Sequence, residues 1–337
     1  MTEWYAIESF RQALDKTKET VLDGFNLKFW LQLALIVTIA SGVVNFSTDM
    51  NFEGVFPEDA NISSGAFIYF LVAFFAFYLI VSLVFAYLSA ISSFVKIKAI
   101  ISKDLDLKND FENQSENGLK YFLFLVGLYS ALILFIVASA IIAGYILGNI
   151  GSQIATIISI LIAIIGFFLI FLIIAILSWL VEHFVVPIVY LKNGGIIENL
   201  KYLLELIKKE FWQFVIYILV YTITTFFVAM ILLMLSLFIS VGAFILYFVI
   251  NILMVFGLMA LDPSSIGPKE IMFVGIFTII TIGVKFVVSY IVNCIFLPVN
   301  IFFQIYGMLF LEKIDPSLKF FKGKKKKKER KEKIKVH

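Results

Sequence analysis

Few of the residues from which reactive centres are built occur in this sequence. Cys294 is the only cysteine, and His183 and His337 are the only histidines among 337 residues. An internal disulfide and a cysteine cage for zinc are thereby excluded, and no histidine-rich metal site can be assembled. Charge is also scarce, at 15% of residues, against about 25% in ordinary soluble domains. There is no phosphate-binding loop, no nucleophile elbow and no H-E-x-x-H pair, and the loops are too short to house a soluble catalytic domain. The reading is of a protein that is not an enzyme and takes no cofactor. The N-terminus lacks the apolar core of a signal peptide, so the first apolar segment is expected to engage the insertion machinery itself.

Apolar residues are abundant, at 61%, with 17% aromatic and a mean hydropathy of +1.01. They fall in nearly uncharged blocks of about 20 residues or more, the length at which a helix crosses the hydrocarbon of a bilayer. The predicted fold is therefore all-α, a polytopic transmembrane helical bundle of about six crossings with interfacial amphipathic helices.

Residues 1–26 read as an N-terminal amphipathic interfacial helix, with Trp4, Ile7, Phe10, Leu14 and Val21 on one stripe. Residues 27–312 form the transmembrane domain, with spans predicted at 29–44, 66–89, 121–146, 154–181, 212–238 and 271–296. Pro187 is expected to break the helix after the fourth span, and Pro298 to end the last. A second amphipathic helix is predicted over 196–210, with Ile197, Leu200, Leu204 and Ile207 apolar. The uncharged stretch Trp212–Ala260 is about twice as long as a bilayer crossing requires, so 240–260 is expected to be re-entrant or a separate span, broken near Ser240, Gly242 or Asn251. The alternative has eight crossings, with 240–260 and 299–312 both spanning. Residues 313–337 read as a basic tail, since Lys313 to Lys335 hold 12 of the 27 basic residues.

Lysine and arginine collect in the N-terminus, 93–120, 182–211 and the C-terminus, while 45–65 and 147–153 have none. Basic residues are retained in the cytoplasm, so this alternation predicts a multi-pass cell-membrane protein with both termini cytoplasmic. The expected partners are the lipid bilayer, anionic headgroups gathered by the tail, and a protein partner or a second copy; nucleic acid is not expected. Asn61-Ile-Ser63 matches a glycosylation acceptor by pattern alone.

One residue departs from a plain apolar bundle. Lys285 lies near the middle of the last predicted span, where a charge costs about 3 kcal/mol on insertion scales. Thr278, Thr281, Lys285, Ser289 and Asn293 share one helical face. Such a seam either lines a pathway for a small or anionic solute or hydrogen-bonds between helices as packing. Neutral partners available to Lys285 are Tyr221, Thr222, Thr224, Thr225 and Asn251, or a ligand. Glu182 and His183, where the fourth span meets the cytoplasm, either form a proton relay at the interface or simply mark the helix end. The competing function is a non-catalytic membrane scaffold or regulatory subunit that binds lipids or partner proteins.

Three segments, WYAIESFRQALDKTKETVLDGFNLKFWLQLALI, HFVVPIVYLKNGGIIENLKYLLELIKKEFWQFVIY and LPVNIFFQIYGMLFLEKIDPSL, resemble an uncharacterised archaeal membrane-protein family. That family is similar to the membrane domain attached to some bacterial glycerophosphoryl diester phosphodiesterases. The resemblance implies a helical bundle in a prokaryotic cell membrane, without the catalytic domain and with no catalytic residues to carry over.

Overall fold

The computed structural model describes residues 4–23, 25–41, 64–150, 153–259 and 268–321. Among these every regular element is helical, as expected of backbone that must satisfy its own hydrogen bonds in lipid. Helix α1 (Tyr5–Thr17) continues through a π-turn, Lys18–Leu22, and meets α2 (Leu27–Ala40) at a bend of 118°. Asn26 caps α2, its side-chain oxygen accepting from the N–H groups of Lys28 and Phe29. The long helices are α3 (Ser64–Ser102), α4 (Leu107–Ile150), α5 (Gln153–Leu180), α8 (Phe211–Met259) and α9 (Pro268–Ile314). Through the π-turn Val181–Val185, α5 runs on into α6 (Val186–Lys192), and α7 (Ile196–Lys209) follows. Five helices are long and apolar enough to cross a membrane, or six if the bent pair α1–α2 counts as one span.

Several boundaries differ from the sequence reading. The first predicted span, 29–44, is a helix of 14 residues within the described part, about 21 Å long and short of the roughly 30 Å hydrocarbon core. Residues 42–44, the glycosylation pattern at 61–63, the loop around 261–267 and the tail from 322 onward lie outside the described residues. The predicted break in 240–260 is not made, because α8 is one unbroken helix of 49 residues. No charge or proline interrupts it, and Gly242 alone is too weak a breaker. The eight-crossing alternative falls with it, since 299–312 is the continuation of α9.

Neither proline ends its helix. A proline lacks the N–H that would bond the carbonyl four residues back. For Pro298 that carbonyl is Cys294's, and it accepts instead from Trp30 Nε1 of α2 at 3.1 Å. Pro187 lies in the first turn of α6, directly after the π-turn Val181–Val185, whose wider winding carries the chain past it.

The densest packing gathers at one end of the bundle. Phe94, Ile97 and Ile100 of α3, Phe184 and Ile188, Leu203 of α7, Tyr217 of α8 and Tyr306 and Phe310 of α9 are buried there, with Leu33 and Ile36 of α2. At that level α4 crosses α3 so closely that a Cβ on Gly118 would stand 2.8 Å from the Ile91 Cα, as small residues permit at membrane helix crossings. Leu318 and Phe320 are also buried in this core, so the predicted solvated tail starting at 313 is anchored up to residue 321. Beyond the core, exposed apolar side chains occupy α5 from Ile157 to Ile176 and α9 from Ile276 to Ile295. Each run is about 20 residues, or roughly 30 Å of helix, which matches the hydrocarbon thickness.

The predicted apolar stripes of the first segment and of α7 turn only partly inward: Phe10, Val21, Leu200 and Ile207 pack against the core, while Trp4, Ile7, Leu14, Ile197 and Leu204 are exposed. Ala6, Ser9, Ala13 and Thr17 form the buried face of α1, and of the large residues Tyr5 and Phe10 pack inward there, Phe10 edge-on to Phe302 and Tyr306. In α7 the buried residues are Ile196, Asn199 and Leu203. Ion pairs fix α1 to the same end of the bundle as the end of α9: Glu8 pairs with Lys313, and Glu19 with Lys103 at 2.8 Å.

Candidate functional site

The predicted seam lies on α9. Lys285 falls at the centre of the exposed stretch Ile276–Ile295, is itself half-buried, and makes no ion pair or hydrogen bond among the described residues. Thr281 is satisfied within its own helix, donating to the Phe277 carbonyl at 2.9 Å. Asn293 accepts from Asn300 Nδ2 at 3.4 Å, and Ser289 is half-buried. The side chains of Thr278 and Asn251 lie outside the described residues. Of the neutral partners proposed from the sequence, Thr224 donates to the Val220 carbonyl of its own helix and Tyr221 belongs to an aromatic cluster.

Eighteen residues are five turns of an α-helix. Lys285 therefore shares its face with Phe303, whose ring lies 4.9 Å from Tyr221 of α8. One face of α9 thus carries the lysine within the apolar stretch and, further along the helix, contacts α8.

His183 projects into that contact. It is buried at 7% exposure and stacks on Trp179 with centroids 5.3 Å apart at 11°. Its Nε2 lies 2.5 Å from the Tyr217 hydroxyl, which donates to it when Nδ1 carries the proton. Tyr217 in turn stacks on Tyr306 at 4.5 Å, and Trp179 Nε1 donates to Tyr221 at 3.5 Å. The ring is admitted only because residue 307 is glycine: a Cβ there would meet His183 Nε2 at 2.7 Å. Three hydroxyls in or near this cluster in sequence, those of Ser178, Thr225 and Tyr306, are buried with no hydrogen-bond partner among the described residues.

Glu182 does not join this arrangement. It pairs with Lys96 of α3 at 3.5 Å, while its neighbour His183 turns inward to α8 and α9. The structure thus separates the two residues paired in the sequence reading and gives His183 different companions. The sequence signal for that cluster is the spacing of Tyr217 and Tyr221 on α8 opposite Phe302, Phe303, Tyr306 and Phe310 around Gly307 on α9. Among the described residues no group of three or more His, Cys, Asp or Glu is placed to hold a metal ion.

Fold and site together define an integral membrane protein of the polytopic α-helical class. The chain belongs to a family of unknown function, DUF7544, which matches residues 4–321. No curated protein and no solved structure matches it.

Proposed function

We propose that this protein binds and passes a small anionic solute along the face of α9 that carries Lys285, in a prokaryotic cell membrane, with α1 and the end of α9 on the cytoplasmic side. The observation that carries this reading is Lys285 itself, a cation at mid-depth of the apolar stretch with no counter-charge among the described residues. Such a residue needs water, an anion or neighbouring polar groups beside it, and the first two are what a permeation path supplies. The aromatic cluster around His183 closes the cytoplasmic end of the same face, so a solute held at Lys285 meets a packed barrier below it.

The test replaces Lys285 with cysteine in a Cys294→Ala background and measures its reaction with a membrane-impermeant thiol reagent in intact vesicles. Labelling is the expected result. A residue inert from both sides would sink the proposal.

A specific observation favours the competing scaffold reading. Exposed apolar side chains on α8 run from Phe211 to Leu253, about 63 Å of helix and twice the hydrocarbon thickness. A partner protein or a second copy covering part of α8 would account for the excess. Cross-linking from cysteines at 244 and 248 in membranes distinguishes the two: a single dominant adduct supports the scaffold, and none supports lipid as the only cover.

A further inference from the structure

The outward faces of α1 and α7 repeat one pattern. On α1 the exposed residues Trp4, Ile7, Arg11, Leu14, Lys18 and Leu22 follow one another at intervals of three or four, so apolar and basic side chains alternate along a single stripe. On α7 the exposed residues Ile197, Lys201, Leu204 and Lys208 do the same and lead to exposed Phe211 and Trp212. Helix α1 meets the start of α8, which follows directly on α7, where the Tyr5 N–H donates to Gln213 Oε1 at 3.3 Å.

Charge decides what covers these stripes. Glu8 of α1 is already neutralised by Lys313, and Glu19 of the π-turn by Lys16 and Lys103, while the exposed acids Asp15, Glu198 and Glu205 fall to one side of the stripes, about 60–90° around each helix at 100° per residue. Arg11, Lys18, Lys201 and Lys208 form no ion pair among the described residues. Apolar side chains beside unpaired cations, with tryptophan at Trp4 and Trp212, match the boundary between acyl chains and phosphate headgroups.

We propose that the two stripes seat α1 and α7 in the headgroup layer of the surrounding membrane and there gather anionic phospholipid through Arg11, Lys18, Lys201 and Lys208. The tail beyond residue 321 is not needed for this. The site is independent of Lys285, so either proposal can fail without the other.

The test uses the full chain in a Cys294→Ala background, with a bimane label on a cysteine replacing Ile7 or Ile197, reconstituted in phosphatidylcholine vesicles. Part of the lipid is then replaced, at equal mole fraction, by phosphatidylglycerol or phosphatidylcholine with brominated acyl chains. Brominated phosphatidylglycerol is expected to quench the label about fivefold more strongly, the enrichment that one basic residue gains at an anionic surface. Arg11→Gln with Lys18→Gln should bring the ratio at position 7 to about one while leaving position 197 unchanged, since these exposed residues carry no packing. Absence of quenching by either lipid, equal quenching by both, or a ratio unmoved by the substitutions would each overturn the proposal.

Discussion

At the scale of single residues, the site depends on one missing carbon. Gly307 leaves just enough room for the His183 ring, and the ring in turn holds the Tyr217 hydroxyl. Gly307→Ala is expected to push the imidazole out of this contact and lower stability by about 1–3 kcal/mol, the usual result of overfilling a packed site. Gly242→Ala, inside α8 where a Cβ meets nothing, serves as the control and should leave the unfolding temperature in detergent unchanged or slightly raised, since alanine favours a helix interior over glycine. Lys285 was legible in the sequence because a lysine in an apolar run is conspicuous, and its seam follows from helical spacing. His183 was not, because one histidine at the end of a span looks like an ordinary interface residue. Its meaning comes from Tyr217, Tyr306 and Gly307, which reach it only through tertiary packing.

At the scale of the element, the two prolines show why helix ends were harder to read than helix existence. A proline removes one donor, and from sequence that reads as a stop. Trp30, 264 positions away from the carbonyl it reaches, supplies the donor that Pro298 lacks. Trp30→Phe should then cost about 1–3 kcal/mol by stranding the Cys294 carbonyl. In a Pro298→Ala background the new N–H takes that carbonyl, and the same substitution should cost less than about 0.5 kcal/mol. Unfolding in mixed micelles measures both arms of the cycle; equal costs would show that the indole acts only by packing. The faces of α1 and α7 were half legible. Their amphipathic character is plain in the sequence, yet small residues, Ala6, Ser9 and Ala13, occupy the buried face of α1 because close approach to α9 favours them over bulk.

At the scale of the molecule, the polar end is clasped by contacts between distant segments. Tyr202 of α7 donates to Asp315 Oδ2 just beyond α9, Ser317 donates to the same carboxylate from its N–H and hydroxyl at 2.9 Å, and Lys192 lies 3.5 Å over the Tyr202 ring. Burial alone would raise the Asp315 carboxyl, but the hydrogen bonds from Tyr202 and Ser317 and the charge of Lys192 outweigh it and hold it below its ordinary value of 3.8. A carboxylate depressed in the folded state stabilises above its unfolded value and loses that contribution as pH falls through its folded one. The difference in unfolding temperature between wild type and Asp315→Asn should therefore be constant above about pH 5 and shrink below 3.8. A gap that does not change with pH would remove the clasp from the account.

The pairing of Glu8 with Lys313 spans 305 positions of sequence, and it sets an order of events during synthesis. At about 5–20 residues per second, α1 leaves the ribosome some 15–60 s before the segment of α9 that it packs against. Through that interval its small-residue face has no partner, so the headgroup layer, or a chaperone, must hold it. A chain cut short before α9 would leave that face of α1 bare, with the segment held by Glu19 to Lys103 and Tyr5 to Gln213.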